Sequence, residues 1–281
     1  LMLSEIKAYM SQGNAGAELE SSRLKAMFSN EPGAQFSQTY NKQLKNKTFE
    51  AQREYFEYLM DKIEQASQSE GQATEGMSGV VTSNDGAKSY LVGQTGVEYA
   101  QLIEKGLMGA CFYYQATSVY LGEDRMNADN ESVEEGSGTA MEHHWDESFG
   151  YFGVPKTFPS SLDGLAFWGV YCNRRDPFLS SNNMLMDAFL SGRAAISNKD
   201  YETRDESIRI VRTEWEKVSA ATAINYLNTA TREFDDNAIK FHALSEAIAF
   251  VYSLKFNVEK TVSNEQVDAW NRGDIDSFMK A

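Results

Sequence analysis

An all-α fold, two packed helical bundles with at most one short β-hairpin, is what this sequence predicts, and three observations predict it. Only four prolines occur in 281 residues, at Pro32, Pro155, Pro159 and Pro177, so the stretches 33–154 and 178–281 contain none. Proline breaks helix interiors, and both stretches are rich in the helix formers Ala, Glu, Lys, Gln, Leu and Met. Within them apolar residues recur at three- and four-residue steps, the period of a helix with one buried face. With 42% apolar and 12% aromatic residues, the chain has the material for a substantial core.

Taken in order, Phe49, Phe56, Leu59 and Ile63 predict a first helix over 47–67, with Glu50, Arg53, Glu57 and Lys62 on its other faces. A Gly/Ser-rich insertion follows over about 71–96. Inside it Val80-Val81-Thr82 and Ser89-Tyr90-Leu91-Val92 flank the turn signal Asn84-Asp85-Gly86, which reads either as a small hairpin or as an ordered loop. A second helix is expected over 97–121. Its later half is apolar almost all round and therefore buried on all sides. The acidic segment 122–138 reads as a surface loop or frayed helix, and 139–149 as a short helix stopped by Gly150, Gly153 and Pro155. Residues 155–177 read as irregular and aromatic. Helices are expected again over 182–197, 202–233 and 237–257, with a short one from about Asn264. The division that follows is an N-terminal bundle over 1–123 and a second over 124–281.

Charge excludes some partners. Lys plus Arg number 26 against 41 Asp plus Glu, a formal net charge of −15. Such a body repels phosphate backbones and anionic lipid surfaces, so no nucleic acid is expected as partner. Cys111 and Cys172 lack Cys-x-x-Cys context and read as two small buried thiols, with a single bridge left open. The longest uncharged run, between Lys105 and Glu123, is too polar for a spanning helix. The start, Leu1-Met2-Leu3-Ser4-Glu5, has no basic segment ahead of an apolar one, so any targeting segment or lipid anchor is expected outside this chain.

Chemistry concentrates on three histidines. His144 and Glu147 are three apart and His143 and Glu147 four apart, so either pair shares a side of a helix. On the helical wheel Met141, Trp145, Phe149 and Phe152 form an apolar stripe, His143 and Glu147 lie opposite, and His144 sits on the flank between the stripe and Glu147. His242 and Glu246, at i and i+4, fall in a helix whose other side carries Leu244, Ile248 and Val251. Ile239, Ala249 and Phe250 make their own side apolar too. A carboxylate there must be paired, protonated or bound to a cation. Two readings stand side by side: hydrogen-bonded pairs that orient helices, or a ligand site, since bundles build metal sites from such pairs and imidazole with carboxylate suits iron, zinc or manganese. Glu98, sharing a face with Gln101 at a helix start, is a third candidate, against the plainer reading of an acid complementing the helix dipole. Arg174-Arg175-Asp176 reads as an anion clamp or a surface ion pair. The chain has no Gly-x-Ser-x-Gly, no phosphate loop, no dinucleotide fingerprint and no His-Glu-x-x-His.

Three segments carry a resemblance. They are Gly96-Val97-Glu98-Tyr99-Ala100-Gln101-Leu102-Ile103-Glu104-Lys105-Gly106-Leu107-Met108-Gly109-Ala110, His144-Trp145-Asp146-Glu147-Ser148-Phe149-Gly150-Tyr151-Phe152-Gly153 and His242-Ala243-Leu244-Ser245-Glu246-Ala247. Together they resemble a domain-of-unknown-function family of bacterial envelope lipoproteins related to the imelysin-like proteins, also called insulin-cleaving membrane proteases or iron-regulated protein A. His144 and Glu147 match that group's His-x-x-Glu. His242 and Glu246 resemble its Gly-x-His-Ala-Ile-Glu, with one extra residue between His and Glu and Lys240 in place of the glycine.

The resemblance implies two helical bundles, a place in the periplasm or on the outer membrane held by a lipid anchor, and a link to iron uptake. The expectation is a non-enzymatic binding protein whose cleft, lined by His144, Glu147, His242 and Glu246 with Asp146 and Glu98, takes a metal ion, iron or zinc, or a small ligand, with other envelope proteins as further partners. The rival is a metallopeptidase in which a carboxylate acts as base to metal-bound water. A third reading is a scaffold whose His–Glu pairs are structural.

Overall fold

Helices fill most of the chain in the computed structural model, which describes residues 1–69 and 71–272. The end of the second expected bundle, 273–281, lies outside the described residues. Among the described residues the only sheet is one two-stranded antiparallel ribbon, so the fold is all-α with a single hairpin. By packing, the chain divides into two units, each discontinuous in sequence. The first comprises Leu1–Leu107 and Ala223–Phe250, the second Met108–Thr222 and the chain from Val251 onward.

In the first unit, α1 (Met2–Met10), α2 (Ser21–Ser29), α3 (Leu44–Lys47) and α4 (Arg53–Ser67) precede the hairpin, and α5 (Tyr99–Leu107) follows it. Leu3, Ile6, Leu24, Phe28, Phe56, Met60, Ile63 and Ile103 are its buried core. Each such side chain contributes roughly 1.5–3 kcal/mol through burial. The helix expected over 47–67 is corrected at its start. Thr48 is extended, its hydroxyl donates to the Leu44 carbonyl at 2.9 Å and closes α3, and α4 begins only at Arg53. Phe49 therefore leaves the apolar stripe and is 37% exposed.

Of the two readings of this segment the hairpin holds: strands β1 (Gly79–Thr82) and β2 (Ser89–Val92) pair with Val80 opposite Leu91 and Val81 opposite Tyr90. Both outer edges are occupied. The Val80 carbonyl accepts from the Ala73 N–H at 3.0 Å, the Val80 N–H donates to the Gly71 carbonyl, and the Leu91 N–H donates to Asn14 Oδ1 at 2.9 Å.

The expected helix over 97–121 is helical but not uniformly α. After α5 come two π-helical segments, Met108–Tyr113 and Gln115–Tyr120. Carbonyls along this run receive donors from other elements of the second unit. Trp168 Nε1 donates to the Met108 carbonyl at 2.8 Å and Ser148 Oγ to that of Ala116 at 3.2 Å. Arg212 donates through Nε to Thr117 at 3.0 Å and through Nη2 to Leu121 at 2.9 Å.

The second unit continues with α6 (Glu123–Met126), α7 (Ala140–Phe152), α8 (Trp168–Leu179) and α9 (Ser181–Ser197). The long α10 (Tyr201–Arg232) and α11 (Asn237–Ser253) each run from one unit into the other, and α12 (Asn264–Asn271) ends the described chain. Trp145, Phe152, Trp168, Trp215 and Tyr113 are the largest buried rings of this unit. Contrary to the irregular reading of 155–177, α8 begins at Trp168 and holds Pro177 in its last turn. The proline removes one backbone donor there, and the helix ends soon after it, at Ser180 in the left-handed conformation. Both cysteines are buried and free.

Candidate functional site

The His242 cluster is built wholly within the first unit. α11 presents His242 and Glu246 one turn apart, and Glu98, just ahead of α5, faces them. Glu98 is 1% exposed and Glu246 4%. Neither stands alone: His242 Nδ1 donates to Glu98 Oε2 at 2.7 Å, and His242 Nε2 lies 3.4 Å from Glu246 Oε2. Gln101 Nε2 donates to the other Glu98 oxygen at 3.1 Å, and the Glu98 N–H donates to Ser245 Oγ at 2.9 Å.

The chain of charges continues. Lys105 Nζ is 3.6 Å from Glu246 and 2.9 Å from Glu104, which also takes Lys7 at 3.0 Å. Tyr90 of β2 stacks on the His242 ring at 4.3 Å, and burial pushes its hydroxyl up to about 12. Burial opposes charge on His242, but the bond to Glu98 and the two carboxylate charges outweigh it, so the imidazole titrates above its ordinary value. With His242 protonated, three carboxylates face three cations. The burial cost foreseen for Glu246 is thus met by pairing. The plainer reading of Glu98, an acid complementing a helix dipole, gives way to a direct partner of His242, 144 positions away.

The second set sits on α7, in the second unit. Thr139 caps this helix in a capping box with Glu142. Arg193 donates to Glu142 at 2.6 Å and to Asp146 at 3.0 Å, which commits Asp146 to an ion pair. Met141, Trp145 and Phe152 are buried as the wheel indicated, and Trp145 Nε1 donates to the Phe189 carbonyl.

The pairing of Glu147 needs correction: its nearest imidazole is His143, Nε2 to Oε1 at 3.7 Å, not His144. His144 turns toward Tyr120, with ring centroids 6.0 Å apart, and its Nδ1 is buried without a hydrogen-bond partner. Burial first, then the nearby charges of Arg125 and His143, hold it below its ordinary value and favour neutral imidazole.

His143 and Glu147, with side chains 52% and 40% exposed, open onto a pocket of about 350 Å³ lined also by Asp146, Gly150 and Tyr151. The Tyr151 ring packs on Phe112 at 5.9 Å and Tyr120 at 5.8 Å, and Phe167 meets Phe112 edge-on at 5.2 Å. Burial holds the Tyr151 hydroxyl protonated.

The candidate residues therefore fall into two groups: Glu98, His242 and Glu246 in the first unit, His144, Asp146 and Glu147 in the second. Among the described residues no group of three or more His, Cys, Asp or Glu side chains is disposed to hold a metal ion. In the first group this follows from geometry, because each ring nitrogen of His242 addresses a different carboxylate. Sequence reasoning missed Tyr90, Tyr151 and the Glu104–Lys105 pair. The last had one visible signal, two charges at the head of a long uncharged run. The Arg174-Arg175-Asp176 segment is structural in part, since Asp176 accepts the Asn182 N–H at 2.8 Å near the start of α9.

Fold and sites together define a class: an all-helical protein with one hairpin, carrying a closed ionic cluster in one unit and an open His/carboxylate pocket in the other. Within that class, residues 3–280 match the family described as Domain of unknown function (DUF4856), and the chain belongs to it. No curated protein and no solved structure matches the chain.

Proposed function

We propose that this chain is a non-enzymatic binding protein of the bacterial cell envelope, akin to the imelysin-like proteins, and that it takes a small ligand in the α7 pocket. One observation carries the binding reading. Glu147 and His143 open onto a pocket that Tyr151 also lines, and among the described residues their only ion pair is the 3.7 Å contact with each other. The His242 cluster, by contrast, has its acids and imidazole committed to one another and supports a structural part. The envelope placement and the link to iron uptake rest on the sequence resemblance alone. Iron or zinc is the rival occupant, since an imidazole nitrogen and a carboxylate oxygen, the donor types of His143 and Glu147, suit either metal.

The test is calorimetric titration of the wild type and of Glu147→Gln with a panel of small organic ligands, with elemental analysis of the purified protein recording any metal it carries. Saturable binding that weakens in the variant, with no turnover, is the expected result. Chelator-sensitive peptide cleavage would overturn the non-enzymatic reading in favour of the metallopeptidase. No binding at the pocket at all leaves the scaffold reading.

A further inference from the structure

We infer that the α7 pocket selects an organic cation, an ammonium group carried on an apolar body, with Glu147 as its counter-ion and the Tyr151 ring as its apolar wall. This rests on the reading of that pocket as the binding site and names the class of ligand. The charges decide the sign. Of the two pocket acids, Asp146 is already held by Arg193, whereas no lysine or arginine pairs with Glu147 among the described residues. Arg193 is itself shared between Asp146 and Glu142, so net negative charge remains at the pocket, on a chain with a net charge of −15, and an anionic ligand is repelled. A neutral ligand would desolvate Glu147 without compensating it.

Size and surroundings decide the body of the ligand. About 350 Å³ exceeds what a bare ion fills, and above Gly150 no heavy atom lies within 4 Å of where a Cβ would stand. Tyr151 lines the same pocket as Glu147, and an ammonium that reaches an aromatic ring is drawn by its quadrupole in addition to the carboxylate's charge. Two features outside α7 shape this wall. The π-helical run supplies Phe112 and Tyr120 behind Tyr151, and π turns recur where a helix has been re-aimed for a site. Phe167 has φ 44°, a conformation that a residue with a bulky side chain rarely adopts, and it holds its ring against Phe112.

The experiment uses the full chain and four probes: benzylamine, its neutral counterpart benzyl alcohol, methylammonium, and zinc chloride alone. Binding is read by chemical-shift changes and calorimetry. The expected result is that benzylamine binds about tenfold tighter than benzyl alcohol or methylammonium. Glu147→Gln should remove that preference, and Tyr151→Leu should weaken benzylamine, with circular dichroism unchanged in both. Equal binding of benzyl alcohol at this pocket, or benzylamine binding indifferent to Glu147→Gln, overturns the cation inference while the pocket stands as a site. Zinc saturating the pocket through His143, with loss in His143→Ala, overturns it in favour of a metal. Failure of all four probes at α7 overturns both the inference and the reading on which it rests.

Discussion

His242 lies between two carboxylates that would each be costly to bury alone, and its proton is what balances them. The sign of the pH dependence follows. Its folded value is raised above the ordinary imidazole value of about 6.5, so its contribution is fully present below that pH and is lost as pH rises through the folded value. The groups facing it are Glu98, Gln101, Glu246, Lys105 and Tyr90, and the last does not titrate in this window. Thermal melts of wild type and His242→Gln between mildly acidic and mildly basic pH should therefore converge as pH rises. A difference that widens with pH would contradict the clamp. Glu246→Leu removes one partner from both His242 and Lys105, and a loss of about 3–5 kcal/mol is expected in urea unfolding. At this scale the sequence was readable in part. The i, i+4 spacing and the apolar surroundings disclosed a buried His–Glu pair, because periodicity reports which face a residue occupies. It does not report what that face meets, so Glu98 could be seen as a candidate but not as His242's partner. For the same reason spacing could not choose between His143 and His144 for Glu147.

Elements long enough to show several periods were legible, and the short ones were not. α10, α11 and the hairpin stand close to where hydrophobic spacing and turn chemistry put them. α1 and α2, of nine residues each, went unread. Helices below about 12–15 residues are marginal alone, and these two depend on tertiary burial of Leu3, Ile6, Leu24 and Phe28. The π-helical run was equally hidden, since its composition fits an α-helix. What favours the wider winding lies elsewhere in the chain, in the donors of Ser148, Trp168 and Arg212. Arg212 is the most exacting of these, buried and bonded to two carbonyls. Arg212→Met should cost about 3 kcal/mol, the penalty of leaving buried carbonyls unpaired. Denaturant unfolding measures it, and a change below about 1 kcal/mol would show that the run does not need the guanidinium. Loss of the Thr139 cap in Thr139→Ala should cost about 1 kcal/mol by the same measurement.

For the whole molecule, the sequence disclosed the helical class but not how the units are assembled from distant segments. Residues Ala223–Phe250 return to the first unit and bring Ala243, His242, Glu246 and Phe250 with them. No local signal marks such a return, because α10 and α11 continue unbroken through the points where the packing changes. A fragment of residues 1–107 therefore lacks a helix that its core and its charges require. It should show no cooperative melt and poorly dispersed amide resonances, and a peptide covering 223–250 should restore both. A cooperative melt of 1–107 alone would contradict this account.

The hairpin has a consequence for association between chains. Val80-Val81 and Tyr90-Leu91-Val92 are the kind of β-prone runs that recruit strands from other molecules when an edge is bare. Here the Asn14 side chain stands where a neighbouring strand would bond to Leu91, and the backbone at Gly71 and Ala73 does the same for Val80. The ribbon is thereby guarded against fibril-like stacking by two short polar pieces of its own chain. Asn14→Ala is the change that would expose the Leu91 edge to amyloid-type growth.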